Sequence, residues 1–227
     1  MELHYIQMMI LRELLLNSSR KFTDLNVKKM PSDQFTYHIK TLINLDLISK
    51  NKSYYQLTPK GKEFANTMDT DKYILEKQGK ISVLIIATRK RENSLYLLTQ
   101  KRLKEPYMGF RGFISGKARF GETVINAAKR ELKEETGLAG KFKFKYILHE
   151  LIYLNKIKLI EDKYFYVLQC TKTKGRLIDI KEGENKWIEM KELFKTYKLF
   201  YDVKYILKNL LSNKNIFRER KYFIDAF

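Results

Sequence analysis

The sequence predicts an α/β chain in two parts, a small α+β domain over residues 1–70 and a larger α/β/α sandwich over 81–227, with a join at 71–80. Three observations lead there. The first 70 residues read as short helices around one hairpin, the remainder pairs long apolar strands with a few helices, and a polar stretch separates them. At 227 residues the chain is long enough for two modest cores.

In the first part, His4–Leu16 has the spacing of an amphipathic helix, with Ile6, Ile10, Leu11, Leu14 and Leu15 on one face. A short second helix is expected near Thr23–Lys28. Pro31-Ser32-Asp33 opens a third that runs to about Asn44, with Phe35, Ile39, Leu42 and Ile43 facing inward. Ile48–Lys50 and Tyr54–Leu57 read as a hairpin turning at Asn51-Lys52-Ser53. Thr58-Pro59 starts a fourth helix, because threonine accepts N-cap bonds and proline suits the first turn. The join carries Asp69, Asp71, Lys72, Glu76, Lys77 and Lys80; it is poor in Gly and Ser, and the expectation is that it continues the fourth helix.

In the second part, Ile81–Ala87 and Leu95–Thr99 read as paired strands, and Phe142–Leu154 and Leu159–Cys170 as a second pair split at Asn155-Lys156. Met190–Thr196 and Val203–Leu211 read as helices. Between the strand pairs, residues 123–135 lack Gly and Pro, are rich in Ala, Lys, Glu and Leu, and carry an apolar stripe at Val124, Ala127, Ala128 and Leu132. Gly137 supplies a stop.

That helix bears the chemistry. Glu131 and Glu135 lie four apart, and Glu134 lies three from Glu131, so three carboxylates crowd one face. Like charges at that spacing cost about 0.2–0.5 kcal/mol per pair on an isolated helix. A hard divalent cation reverses the sign of that cost, and Mg²⁺ suits a few carboxylates plus substrate phosphates. Such an ion offsets charge on phosphates and activates water, while a carboxylate not wholly committed to metal can serve as general base. Arg130 is placed to pair with a nearby carboxylate, Glu122 first, and to orient it. Gly116 and Gly121 lie in the loop entering the helix, where backbone can approach metal or phosphate closely. Arg102, Lys104, Tyr107 and Arg111 precede this loop; they either cradle phosphate and base or belong to the surface.

The whole stretch reads G-x5-E-x7-R-E-L-x-E-E-x-G-L from Gly116 to Leu138, all nine specified positions filled. A charged run of this kind is usually a solvated helix face, but nine positions in register arise by chance less than about once in 10⁸ sites. From about residue 78 onward the chain resembles the Nudix hydrolase family. The resemblance implies an α/β/α Nudix sandwich and an Mg²⁺-dependent enzyme, Mn²⁺ being an alternative, that cleaves a nucleoside diphosphate linked to another group. It implies metal ligation by Glu131, Glu134 and Glu135, joined by the Gly116 carbonyl and by a later acid, Glu182 first and Glu184 second. It assigns catalytic roles to Glu134, Glu131, Arg130 and Glu122 without fixing which is the base. Tyr153 matches a tyrosine associated with dinucleoside polyphosphate hydrolases, and Arg102 and Arg111 complete the substrate candidates. Phe113-Ile114-Ser115 stands where many relatives carry Pro-Gly-Gly, so the path of this loop differs.

The order helix, helix, helix, hairpin, helix in residues 1–70 resembles the winged helix-turn-helix family. That resemblance implies nucleic-acid contacts from Gln34, His38, Lys40 and Thr41 on the third helix and from Lys50 and Lys52 in the wing; dimerisation is the other use of such a domain.

Composition sets bounds on partners. The net charge is +19, yet residues 1–75 hold only 11 Lys and Arg against 8 Asp and Glu, leaving 34 against 18 in the remainder. The basic excess therefore lies on the part with the box, and it favours a polyphosphate as readily as DNA. One cysteine, Cys170, excludes an intrachain disulfide framework and sits in an apolar strand. No apolar stretch nears 18 residues, and Glu2 with Arg12-Glu13 does not suit a signal peptide, so a cytoplasmic protein without membrane partners is expected. Two functions are expected from these readings: a Nudix pyrophosphohydrolase with an accessory winged helix, or a DNA-binding regulator whose Nudix domain senses a nucleotide metabolite. The Nudix-type regulators of nicotinamide metabolism place their winged helix after the Nudix domain and often have eroded boxes. The opposite order here, with an intact box, favours the enzyme.

Overall fold

A computed structural model describes residues 3–69, 71, 73–75, 77–210 and 216–225. The chain divides into two compact units, Met1–Lys77 and Gln78–Phe227, the boundary falling within the polar join.

The first unit runs α1 (Tyr5–Leu16), β1 (Arg20–Lys21), α2 (Phe22–Leu25), α3 (Ser32–Asn44), β2 (Ile48–Asn51), β3 (Tyr54–Leu57), α4 (Pro59–Ala65), β4 (Met68–Asp69) and β5 (Ile74–Leu75). A three-stranded sheet in the order β1-β3-β2 packs with the helices around Ile10, Leu11, Phe35, Ile39, Leu42 and Leu47. The helix starts follow from capping chemistry. His4 caps α1 by accepting the Ile6 N–H at Nδ1, and Thr58 caps α4 by accepting the Gly61 N–H at Oγ1. Three expectations fail. Leu15 of α1 is 36% exposed, and Ile43 is 38% exposed because the apolar stripe of α3 is complete with Phe35, Ile39 and Leu42. The join does not prolong α4: the helix ends at Ala65, and β4 pairs with β5 in an antiparallel ribbon, Met68 opposite Leu75.

The second unit runs β6 (Lys80–Arg91), β7 (Ser94–Arg102), β8 (Arg111–Gly112), β9 (Ile114–Lys117), α5 (Val124–Thr136), β10 (Ala139–Leu154), β11 (Lys158–Lys174), β12 (Gly183–Glu189), α6 (Met190–Thr196), α7 (Val203–Leu210) and β13 (Phe217–Ile224). Six strands follow the order β12-β7-β6-β11-β10-β13, with β8 paired to β7 and β9 to β6. Both faces of β6 are covered, which is why its sequence is a continuous apolar run. Val83, Ile85 and Ala87 pack with Ala127, Ala128 and Leu132 of α5 on one face; Leu84 and Ile86 pack with Leu193, Val203 and Ile206 of α6 and α7 on the other. The result is a helix–sheet–helix sandwich. Asn155 and Lys156, both at positive φ, make the β10–β11 hairpin turn. Cys170 is fully buried on β11, and burial pushes its thiol up to about 11. Leu211, placed at the end of α7 from sequence, lies outside the described residues. Among the described residues, no helix is long and apolar enough to cross a membrane.

Besides the short β8 and β9, two longer strands of this unit escape sequence reading. The inward positions of β12 include Gly183 and Asn185, so its alternation is not an apolar one. The edge strand β13 carries consecutive charges from Arg218 to Lys221, as exposed edges do.

Candidate active site

The loop and helix after β9 form the candidate site. The first half of β6 pairs with β9, Val83 opposite Gly116, which fixes the box glycine to the sheet. Thr123 caps α5 by accepting the Asn126 N–H, and Gly137 ends it at φ 74, a left-handed conformation that glycine adopts without strain.

Arg130 organises the carboxylates. Its Nε and Nη2 donate to the two oxygens of Glu122 at 2.9 and 2.7 Å, a bidentate fork. Its Nη1 donates to Glu131 at 2.6 Å and to Glu134 at 3.1 Å, and Nη2 also reaches the Lys117 carbonyl at 3.0 Å. The Arg119 N–H adds a 3.0 Å bond to Glu122, and its guanidinium reaches Glu134 at 3.3 Å. Arg130 and the Arg119 N–H hold the Glu122 carboxyl down to about 2, and these same carboxylates raise the pKa of Arg130. Glu131 is shifted the other way, upward by burial, with Arg130 opposing.

Gly116 is required here by packing. A Cβ at this position would sit 1.9 Å from the Glu131 carboxyl carbon, so that carboxyl lies directly on the glycine backbone. Glu135 accepts from Gln100 Nε2 at 2.9 Å, and its carbonyl accepts from Asn185 Nδ2 at 2.6 Å. Sequence reading missed Gln100, Asn185 and Arg119. Asn185 lies within the acidic segment singled out for Glu182, but no local pattern marks it as a clamp on α5.

The donor chemistry fits a hard divalent cation. Oxygens of Glu131, Glu134 and Glu135 share one helix face beside a glycine whose missing side chain leaves its backbone open. Among the described residues, however, no three acidic, His or Cys side chains converge as a closed cage. Arg130 supplies the positive charge between Glu131 and Glu134, and Gln100 holds Glu135.

The remaining candidates divide. Glu182 is exposed and paired with Lys104, while Glu184 is committed to Arg111. Arg102 lines a cavity of about 190 Å³ together with Tyr107, Phe113 and Ser115, the last adjacent to Gly116. Its guanidinium ties down the loop before β8 by donating to the Pro106 carbonyl at 2.6 Å. Arg111 is 2% exposed, bonded to Thr99 and Glu184 and set over the Tyr197 ring, so its guanidinium is committed to internal partners. The Tyr153 ring packs against Phe223 of β13, away from the residues that line the cavity.

In the first unit, Gln34, Lys40, Lys50 and Lys52 are exposed, and Thr41 is half-buried with its hydroxyl donating to the Tyr37 carbonyl. His38 is 8% exposed and stacked on His4, and burial followed by the His4 charge lowers its pKa, so its ring packs within the unit.

A mixed sheet between two helical layers, with a carboxylate-bearing loop and helix at the strand that carries Gly116, defines the Nudix fold. The family model of the NUDIX domain matches residues 78–210, more than half of the 227, and the chain belongs to that family. The fold is shared with a MutT protein from Bacillus halodurans, at 22% identity over 65% of this chain and 93% of that one, with a TM-score of 0.53. It is also shared with the NUDIX domain of Shewanella oneidensis NrtR, solved with ADP ribose, at 14% identity over 67% of this chain and 96% of that one, with a TM-score of 0.52.

Proposed function

We propose that this protein is an Mg²⁺-dependent pyrophosphohydrolase that cleaves a nucleoside diphosphate linked to another group. The observation that carries the reading is the complete Arg130 network. A box kept only for shape has no need of a bidentate Arg130–Glu122 fork that also reaches Glu131 and Glu134. In this proposal Glu131, Glu134, Glu135, the Gly116 carbonyl and Glu182 hold the metal, which supplies charge stabilisation to the diphosphate. Arg130 orients Glu122 and Glu134, and Glu134, the most exposed of the box carboxylates in that network, takes the proton from the attacking water. Arg102 lines the neighbouring cavity and is the candidate for the substrate phosphate.

A panel of nucleoside di- and triphosphates, sugar nucleotides and dinucleoside polyphosphates tests this directly. Mg²⁺-dependent release of phosphate or nucleotide is expected, falling by about 10²–10⁴-fold in Glu134→Gln and Glu135→Gln. A folded, metal-binding protein that turns over none of the panel would rule the reading out.

A second reading has its own support. The exposed Gln34 and Lys40 of α3, with Lys50 and Lys52 at the hairpin, suit a DNA-binding winged helix, and NrtR shows a Nudix domain with ADP ribose bound. In that reading the chain is a regulator whose Nudix domain senses a nucleotide metabolite. Salt-dependent binding to the DNA upstream of its own gene, compared with random DNA, separates the two, and equal affinity for both sinks specific recognition. Dimerisation through the first unit is the third use, read out as a change from two protomers to one in solution when that unit is removed.

A further inference from the structure

Tyr201 stands between two hollows of opposite character. One is the cavity beside Gly116, whose polar lining includes Glu150, Glu161 and Asp202. The other is an open groove of about 430 Å³ between α7 and β13, and among the described residues no carboxylate lines it. Lys204 and Lys208 of α7 face Arg220 and Lys221 of β13 across it. Three half-buried tyrosines, Tyr201, Tyr205 and Tyr222, complete the lining.

The charge is concentrated by the local structure. Lys204 and Lys208 lie four apart on a helix and therefore share one face, where like charges repel. The only acid of β13, Glu219, is paired with His149 Nδ1 at 2.9 Å and takes no part in the groove. Among the described residues, none of the four cations has a carboxylate within ion-pair distance. Two aromatic contacts fasten the sides together. The Arg220 guanidinium lies 4.2 Å over the Tyr205 ring, and the rings of Tyr201 and Tyr222 are 4.5 Å apart. The strand side of the groove lies past residue 210, where the match to the NUDIX domain ends.

Cations without counter-charge, set among aromatic rings, suit a chain of phosphates whose bases can rest on those rings. We propose that the α7–β13 groove binds single-stranded nucleic acid, with Lys204, Lys208, Arg220 and Lys221 meeting phosphates and the tyrosines offering ring surface to bases. A duplex keeps its base faces inside its own stack and engages the cations alone. Inorganic polyphosphate and an anionic membrane have no bases to stack. None of the groove residues belongs to the box or to the first unit, so this binding is independent of both functional readings above.

Fluorescence anisotropy of the whole protein tests this, using a labelled single strand of about 12 nucleotides, a length within the usual site sizes, in EDTA and over a range of salt. Lys204→Gln, Lys208→Gln and Lys221→Gln remove three charges at exposed positions and keep the side-chain stems. Made together, they should weaken binding by about 10-fold or more and lower the salt slope by about 2, since each phosphate contact on a single strand contributes about 0.7. Tyr205→Leu should weaken single-strand binding by about 5-fold or more and change polyphosphate binding by less than about twofold. If Tyr205→Leu does not fold, the lysine variant decides alone. Unchanged affinity and slope in the lysine variant overturn the proposal, as does a wild-type protein that does not bind the strand at low salt. Loss confined to a Lys40→Gln, Lys50→Gln, Lys52→Gln variant overturns it too, because the binding then belongs to the winged helix. Duplex or polyphosphate held as tightly as the single strand means charge alone, and anionic vesicles preferred to the strand mean a membrane surface; either result overturns it.

Discussion

The C-terminal unit holds two groups of carboxyls in opposite electrostatic states. On α5 and its loop, Glu122, Glu131 and Glu134 converge on one guanidinium, and Glu122 is held down to about 2. In the cavity, Glu150 is pushed up to about 9 by burial and by Asp202, which is itself raised to about 6 by burial. The residue types are the same; what differs is whether a cation was built in beside them. Carboxylates kept ionised suit a metal and polar bonds to charged groups, and a carboxyl kept neutral can donate as well as accept.

The comparison breaks most sharply at Arg130. Arg130→Lys keeps the charge and loses the fork, since an ammonium cannot donate to Glu122, Glu131 and Glu134 in one plane. Turnover in the nucleotide panel should fall by about 10²–10³-fold with the fold intact by circular dichroism. Near wild-type activity would mean that charge alone, without geometry, suffices at the box.

Glu150 gives the next largest effect, in stability. Folded, it keeps its proton to about pH 9; unfolded, it loses it near 4.5. Unfolding therefore releases a proton between those values, and stability falls as pH rises across that window. In Glu150→Gln this slope should flatten, and the second unit should melt about 5 °C or more above wild type at pH 8.5. Glu122 acts with the opposite sign. Its contribution is present above pH 4.5 and lost as pH falls through about 2.

Arg111→Met gives the smallest effect and separates structure from substrate binding. A structural cation predicts a loss of about 1–3 kcal/mol in denaturant unfolding, reduced because its partner Glu184 is half-exposed, with KM within threefold of wild type. A tenfold rise in KM without loss of stability would return Arg111 to the substrate site.

How legible each group was follows from chain separation. The box is local: 23 consecutive residues contain the glycine, the arginine and the glutamates, and a helix period is enough to bring them together. The clamps on it are not local. Gln100 and Asn185 reach Glu135 only because β7 and β12 pair, and β12 hides its strand character behind a buried glycine and asparagine. The cavity was less legible still. Tyr107 and Arg102 had been singled out ahead of the box, but Glu150, Lys163 and Asp202 come from two strands and a helix start and meet through sheet register. In sequence Glu150 is one of several polar residues in its strand, beside His149, with nothing to mark which way it points. For Arg111, Tyr153 and His38 the hidden part is the surroundings: each is a residue type that often binds ligands, and the sequence does not state that each is packed against a neighbour.

Carbon-13 NMR titration of glutamate-labelled protein, with single Glu→Gln variants for assignment, tests the contrast between the two groups most directly. Glu150 should retain its proton well above pH 7 while Glu122 stays ionised to below pH 3. Both carboxyls titrating near 4.5 would contradict the account.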